Sequence, residues 1–186
     1  MNIDRAKAIR GWMNDHELWW LAEQAQKKTV IEIGCAWGRS TVAMADNSPN
    51  CLLFAVDTWN GSPNELESHH KDFKQLDGDA AYLEFYRNLW PYIVSGFVIP
   101  LRMHSINAAT LLVEKGVYAD FVFIDGCHDA PVVEQDIRAY LPLVREGGIL
   151  AGHDYNDPKW PGINKAIDSV GLSIECPLPH IWMTKL

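Results

Sequence analysis

The chain has 186 residues, of which 48% are hydrophobic, and it carries a formal net charge of -8 at pH 7. This length predicts a single domain over residues 1–186, since it allows one well-buried core and is short for two. The negative charge argues against nucleic acid and against an anionic membrane surface as partners, because both bind to a basic face. We therefore expect a small-molecule ligand.

The cysteine spacing and the hydropathy of the chain indicate a compartment. The four cysteines stand far apart with no C-x-x-C pair, which favours neither a disulfide framework nor a zinc site. The first residues lack the apolar stretch of a secretory signal, and no segment approaches the roughly 20 apolar residues that span a bilayer. We expect a cytoplasmic protein.

Hydrophobic patterning predicts strands that alternate with helices. Residues 1–28 are expected to form an N-terminal helical segment, with one or two amphipathic helices and a break at Asn14 and Asp15 where a second helix can begin. Predicted strands lie at 29–33, 52–56, 97–101, 120–125, within 147–154, and in 172–176 and 180–186. Predicted helices lie at 40–46, 81–90, 108–114, 130–143 and 162–171.

This alternation is typical of an α/β protein with a doubly wound, mostly parallel sheet and a terminal antiparallel strand. Ligands of such sheets bind beyond the carboxyl ends of the strands. The predicted strand ends carry residues 34–38, Asp57, 103–105, 125–128, His153 and Asp154. We expect the binding site among these residues.

A turn of small residues follows the first strand. Gly34, Ala36 and Gly38 lack bulk, so the backbone can approach a ligand closely and the next helix can pack on the strand. Asp57 follows Gly38 by nineteen positions at the end of the second strand, where a carboxylate can accept hydrogen bonds from ribose hydroxyls. The pair indicates an adenosine ligand.

The turn departs from the dinucleotide fingerprint G-x-G-x-x-G, since it reads G-x-A-x-G with Arg39 and Ser40 where the third small residue belongs. Glu32 adds negative charge near the turn, which suits a ligand that carries a positive amino group. These features favour S-adenosylmethionine over NAD. Two alternatives stay open. The protein could be an NAD-dependent oxidoreductase, or the segment could be an ordinary strand-to-helix turn with a surface acid.

Four segments carry a resemblance to a known family: VIEIGCAWGRST, AVDTW, FVFIDGCHDAPVVEQDIRAYLPLVREGGILAGHDY and WPGINKAID. From about Trp12 onward the chain resembles the class I S-adenosylmethionine-dependent methyltransferases of the bacterial family 24 type, a group often found near genes for sugar or glycan modification. The resemblance implies a Rossmann-like three-layer sandwich. Its seven-stranded sheet would have the order 3-2-1-4-5-7-6, with the last strand antiparallel.

The resemblance also implies contacts to the cofactor. Glu32 and Gly34 would lie near its methionine end, Asp57 would hold the ribose, and His104 and Ser105 would contact the adenine. The expected set of cofactor-binding residues is Glu32, Gly34, Ala36, Gly38, Asp57, Thr58, His104, Ser105 and Asp125.

Acids and imidazoles follow the fourth and fifth strands, in IDGCHD and GGILAGHD, and should converge on one small volume. Such a group suits a divalent cation such as Mg²⁺ or Mn²⁺. The chain is similar here to metal-dependent small-molecule and sugar O-methyltransferases, which implies Asp125, His153 and Asp154 as metal ligands. His153 departs from that pattern, where relatives usually carry an acid. The structural alternative is that His153 and Asp154 only cap the fifth strand.

The same resemblance implies a general base at His128, three residues after Asp125, and we take these two as the candidate catalytic residues. Asp136 is interpreted as a surface charge. A non-catalytic binding protein on a methyltransferase fold would need neither His128 nor the acid cluster, so that class stays open.

The polar, glycine-interrupted segment over residues 58–82 predicts a lid or an acceptor-binding insertion. Trp59, near its start, has two equally supported roles, packing on the adenosine or packing in the core. The expected partner is a small polar acceptor such as a sugar or secondary metabolite, and relatives are often homo-oligomers.

Overall fold

Seven strands form one sheet, and the computed structural model describes residues 1–26, 28–61 and 79–186. The strands are β1 (Thr29–Ile33), β2 (Leu52–Asp57), β3 (Val98–Arg102), β4 (Ala119–Ile124), β5 (Val144–Gly152), β6 (Glu175–Leu178) and β7 (Ile181–Lys185). Their order is β3-β2-β1-β4-β5-β7-β6, and β7 is antiparallel to both of its neighbours. The predicted fold class, sheet order and antiparallel last strand are confirmed.

Helices cover both faces of the sheet and bury a separate apolar core on each. The helices are α1 (Asp4–Ala8), α2 (Asp15–Gln24), α3 (Arg39–Asn47), α4 (Ala80–Val94), α5 (Ser105–Glu114), α6 (Ala130–Tyr140) and α7 (Pro161–Val170). Neighbouring residues of a strand point to opposite faces: Val30 packs with α1 to α4, whereas Ile31 packs with α5 to α7. Burial on both faces explains why the central strands are continuous apolar runs.

The N-terminal segment is fastened to the sheet domain by specific polar contacts. Asn14 caps α2 by accepting hydrogen bonds from two backbone N–H groups, and the Glu17 carboxylate accepts one from the Asn14 N–H at 2.8 Å. The Arg39 guanidinium, on α3, donates to the backbone carbonyls of Lys7, Ile9 and Met13. These bonds fix residues 10–17 above the carboxyl ends of the strands.

Several element boundaries differ from the sequence prediction by a few residues, and two of these differences have a clear physical reason. Helix α5 begins at Ser105 rather than at residue 108, because the extended backbone of His104 ends the preceding strand connection. Strand β6 lies at Glu175–Leu178 and includes Pro177, which the prediction placed between the last two strands. Because β6 is the edge of the sheet, the missing N–H of a proline is tolerated there.

The predicted lid over 58–82 lies mostly in residues 62–78, outside the described part of the chain. Within the part that is described, no helix is both long enough and apolar enough to cross a membrane.

Candidate active site

A cavity of about 670 Å³ opens at the carboxyl ends of the parallel strands, beneath the N-terminal segment. Its volume is in the range of sites for small ligands. Of the predicted site residues it is lined by Gly34, Ala36, Asp57, Thr58, His104, Ser105, Asp125, His128, His153 and Asp154. The two predicted residues that do not line it are Glu32 and Gly38.

The turn after β1 is shaped first by the neighbouring strand. Gly34 has φ of +86°, and a Cβ atom there would lie 2.0 Å from the carbonyl oxygen of Asp125. This close approach follows from the hydrogen bond of the Asp125 N–H to the Ile33 carbonyl, at 2.8 Å. Sequence reasoning attributed the small residue to a nearby ligand, and the structure shows that the adjacent backbone already requires it.

Asp57 holds the other side of the same turn. Its Oδ2 accepts hydrogen bonds from the N–H groups of Cys35 and Ala36, both at 2.9 Å, and its Oδ1 accepts one from the Trp59 N–H at 2.7 Å. Burial raises the pKa of this carboxyl group, and the backbone donors only partly offset that effect. The carboxylate of Asp57 therefore ties the turn after β1 to the chain that follows β2, at the edge of the cavity.

Glu32 lies beneath the turn instead of on the cavity wall. Its carboxylate is fully buried and accepts hydrogen bonds from the hydroxyls of Ser40 and Thr41, the latter at 2.6 Å. Burial raises its pKa to about 7. Glu32 therefore connects β1 to the first turn of α3. Its carboxyl group lies under the glycine turn and does not line the cavity.

Trp59 belongs to the core. It is 1% exposed, its Nε1 donates to the Ala36 carbonyl at 2.6 Å, and its ring packs edge-on against Tyr82. The core role that the sequence left open is the one observed.

The β3 side of the cavity contains an acid that sequence analysis missed. Asp136, on α6, is 2% exposed and lines the cavity beside His104 and Ser105. The interpretation of Asp136 as a surface charge is wrong. The spacing along the helix predicts burial, because Asp136 lies three residues after Val133 and four before Tyr140, on the buried stripe of the helix.

The acid and imidazole groups after β4 and β5 do converge. Asp125, His128 and Asp154 offer ligand atoms that all lie within 4.8 Å of one another. His128 Nε2 is 2.8 Å from Asp154 Oδ2, and the His128 ring stacks on Trp160 with centroids 4.1 Å apart. The stacking and the carboxylate fix the orientation of the imidazole toward one place in the cavity.

His153 sits behind this group, among three carboxylates. Its Nδ1 lies 3.3 Å from Asp154 Oδ2 and 3.5 Å from Asp125 Oδ1, and its Nε2 lies 3.2 Å from Glu17 Oε1. Nε2 makes no hydrogen bond to the described residues, and its contact with Glu17 is an ion pair when the imidazole is protonated. Glu17, which is 3% exposed, was also missed from the sequence, because only the packing of α2 brings it here.

The charges of this cluster are linked. Burial lowers the pKa of His153, but the surrounding carboxylates outweigh burial and raise it. Burial raises the pKa of Asp125, whereas for Asp154 the hydrogen bonds from His128 and His153 exceed the burial effect and lower it. The carboxylates thus favour the protonated form of His153. His128 is the imidazole that lies with Asp125 and Asp154 in a group able to hold a metal ion. The predicted role of His153 as a metal ligand stays a prediction.

The sheet order, the glycine turn after β1, the acid after β2 and the cavity between them define a class I S-adenosylmethionine-dependent methyltransferase. The chain belongs to methyltransferase family 24, described as a methyltransferase domain, whose model matches residues 31–155. No curated protein matches the chain.

Solved structures show the same fold at low sequence identity. CalS11, a calicheamicin methyltransferase, is 18% identical with a TM-score of 0.70, over 91% of this chain and 77% of that one. The O-methyltransferase from Bacillus cereus in complex with SAH is 17% identical with a TM-score of 0.63, over 98% and 87%. The O-methyltransferase NovP is 14% identical with a TM-score of 0.64, over 91% and 78%.

Proposed function

We propose that this enzyme transfers the methyl group of S-adenosylmethionine to a hydroxyl of a small polar acceptor, such as a sugar or secondary metabolite. The observation that carries the proposal is the His128 and Asp154 pair, 2.8 Å apart, which lines the same cavity as the glycine turn. Several proteins of similar fold are O-methyltransferases, and one is a TDP-rhamnose 3'-O-methyltransferase.

The cofactor would lie across the ends of β1 to β4. The glycine turn and Asp125 would face its methionine part, Asp57 and Thr58 its ribose, and His104 with Ser105 its adenine. A sulfonium methyl group is already activated, so the protein must chiefly hold the acceptor oxygen in line with the carbon–sulfur bond. The new carbon–oxygen bond forms as the carbon–sulfur bond breaks, and the cofactor leaves as a neutral thioether.

His128 would take the proton that the acceptor hydroxyl loses. Asp154 Oδ2 lies against Nε2 and would stabilise the positive charge that the imidazole gains. A protonated His153 would keep Asp154 ionised, since its Nδ1 lies 3.3 Å from the same oxygen. The proton would then pass to solvent at the cavity mouth.

The far side of the cavity would bind the acceptor. Trp12 and Trp160 line it, with the buried Trp37 behind Trp12, and indole rings pack well against the faces of sugar and aromatic rings. The Arg10 guanidinium stacks 3.9 Å from the Trp37 ring, which holds that ring in place. The acceptor would thus be a ring with a hydroxyl that reaches His128.

Two carboxylates and an imidazole are a suitable donor set for a divalent cation such as Mg²⁺ or Mn²⁺, which Asp125, His128 and Asp154 would hold. A bound cation would lower the pKa of the acceptor hydroxyl. A neutral imidazole has a single lone pair, so His128 serves either as a ligand or as the base. The base is the proposal that the close contact with Asp154 supports.

A direct test uses S-adenosylmethionine with an isotope-labelled methyl group and a panel of ring hydroxyl acceptors, with products identified by mass spectrometry. We expect the label on an acceptor oxygen. The rate of methyl transfer should be the same before and after chelation of metal ions. Loss of activity on chelation and recovery with Mn²⁺ would show that His128 acts as a metal ligand and not as the base. Label on nitrogen or carbon, with none on oxygen across the panel, would contradict the proposed chemistry.

A further inference from the structure

Asp136 is a buried carboxyl group in the cavity wall that the transfer of the methyl group does not use. It lies on α6, is 2% exposed, and forms no ion pair with a lysine or arginine in the described residues. A carboxyl group buried among apolar neighbours is costly unless hydrogen-bond donors satisfy it. Its presence there therefore raises the question of which donors it meets.

One of its oxygens is already bound within the protein. Oδ1 accepts a hydrogen bond from the Ser105 hydroxyl at 2.5 Å, and the Ser105 carbonyl accepts one from the Tyr140 hydroxyl at 2.8 Å. Tyr140 is itself fully buried. This chain of contacts fixes the orientation of the Asp136 side chain relative to the first turn of α5.

The second oxygen, Oδ2, has no hydrogen-bond partner in the described part of the chain, yet it is not among the atoms sealed from solvent. Asp136 lines the cavity together with Ser105 and Val132, so the cavity is the space in which this oxygen can meet a ligand. A fixed acceptor beside a ligand-sized cavity is complementary to a ligand with a hydrogen-bond donor at that point.

The position of Asp136 along the sheet indicates which part of the ligand would lie beside it. Its partner Ser105 follows β3, the ribose acid Asp57 follows β2, and the glycine turn follows β1, in this order across the sheet. A nucleoside that places its ribose at Asp57 and its amino acid toward the turn extends its base toward Ser105 and Asp136.

We propose that Asp136 Oδ2 accepts a hydrogen bond from the exocyclic N6 amino group of adenine and so selects an adenine cofactor over a 6-oxopurine one. This inference rests on the cofactor site of the proposed function. Hypoxanthine has a carbonyl oxygen at the same position, which would face the carboxylate with no proton between them. Asp136 is thus a specificity-determining residue for the cofactor.

The test compares S-adenosylhomocysteine with S-inosylhomocysteine, its 6-oxo analogue, by isothermal titration on the wild-type protein and on Asp136→Asn. The asparagine carbonyl can keep the Ser105 bond and turn its NH₂ group toward the ligand. We expect wild type to prefer the adenine ligand by at least about tenfold, as for a hydrogen bond to a charged group. In Asp136→Asn the preference should disappear or reverse, since the amide donates to the 6-oxo group.

Asp157→Asn is the matched control, because it makes the same change in another acid on the cavity wall. It should leave the preference between the two bases unchanged. Equal weakening of both ligands by Asp136→Asn would show a structural role for Asp136 and would overturn the inference. Equal affinity of wild type for the two ligands would overturn it as well.

A second measurement covers the case in which Asp136→Asn does not fold. It uses wild-type protein and the N6,N6-dimethyl analogue of S-adenosylhomocysteine, which has no N6 donor, with the N6-monomethyl analogue as a smaller control. We expect the dimethyl ligand to bind at least about tenfold more weakly than the monomethyl one. Equal binding of both would contradict the inference. If neither these ligands nor S-adenosylhomocysteine binds, the cofactor site itself fails, whereas binding without oxygen methylation refutes only the proposed reaction.

Discussion

The two ends of the cavity are built differently. At the proposed cofactor end, backbone groups set the geometry: Gly34 packs against the Asp125 carbonyl, and Asp57 binds two N–H groups of the turn and the N–H of Trp59. At the proposed acceptor end, side chains from α2, from the loop after β4 and from the end of β5 meet in one linked set of charges, with Glu17 and His153 behind His128. The first end depends on chain geometry within the sheet, and the second depends on long-range packing.

This contrast predicts that changes at the cofactor end affect folding, whereas changes at the acceptor end affect turnover. The largest expected effect is that of Gly34→Ala. Its Cβ atom would meet backbone at 2.0 Å in a region of positive φ, so neither the neighbour nor the residue can adjust cheaply. We expect a loss of about 3 kcal/mol or more in the free energy of unfolding, measured by urea denaturation.

Gly96→Ala separates the two causes. Gly96 also has positive φ, at +77°, but a Cβ atom there meets nothing within 4 Å. It should cost about 1 kcal/mol from backbone strain alone. If Gly34→Ala is destabilised by no more than Gly96→Ala, then the close packing against Asp125 is not the reason for a glycine at position 34.

His128→Gln should act on turnover alone. Removal of a general base typically lowers the rate by about 100-fold or more. Because the His128 side chain lies beyond the cofactor-binding turn, the affinity for S-adenosylhomocysteine should stay within about threefold of wild type, by titration. Wild-type turnover in His128→Gln would rule out the base, and a large loss of cofactor affinity would place His128 in the cofactor end.

Glu32 predicts a pH dependence of stability. Burial raises its folded-state pKa from 4.5 to about 7, so the folded protein holds a proton that the unfolded chain releases earlier. The stabilisation is complete below pH 4.5 and is lost as the pH rises through about 7. The shift amounts to about 3 kcal/mol at most. In Glu32→Gln this part of the pH dependence should vanish, as measured by urea denaturation from pH 4 to pH 8.

The exposed Glu114, changed to glutamine, is the control for the change in net charge, and its pH profile should follow wild type. Burial also raises the pKa of Asp136, to about 6, so a smaller fall remains in this range. A Glu32→Gln profile that falls between pH 4.5 and pH 7 by as much as the wild-type profile would assign the titration to groups other than Glu32.

The smallest expected effect is at the acceptor wall. Trp12 and Trp90 are about equally exposed, at 54% and 53%, but only Trp12 lines the cavity. Trp12→Ala should raise the KM for the acceptor by about fivefold, an effect of about 1 kcal/mol from lost ring packing, with the cofactor affinity unchanged. Trp90→Ala should match wild type in steady-state kinetics. Equal values for the two variants would remove Trp12 from the acceptor site.

The same contrast explains what the sequence could reveal. The five parallel strands and the turn after β1 are local apolar runs and small residues, so their positions were predicted within a few residues. The order of the strands followed from the resemblance to the family and is confirmed. Asp57 and Asp125 were expected at the cavity because they end strands of that sheet.

Contacts between distant segments escaped that reasoning. Glu17 reaches His153 only because Arg39 and the cap at Asn14 hold α2 over the sheet. Asp136 was visible in principle, since it lies on the apolar stripe of α6, but an acid on a helix was interpreted by its charge instead of its position. The convergence of His128 and Asp154 was predicted, but their direct contact depends on two loops that meet only in the folded protein.

We expect the backbone-built end of the cavity to bind an adenosine cofactor that carries an amino acid and no pyrophosphate. Isothermal titration of the chelator-treated protein with S-adenosylhomocysteine and, separately, with NAD tests this expectation. It should give saturable one-to-one binding of S-adenosylhomocysteine in the micromolar range and no detectable binding of NAD. Binding of NAD in preference to S-adenosylhomocysteine, or of neither ligand, would contradict it.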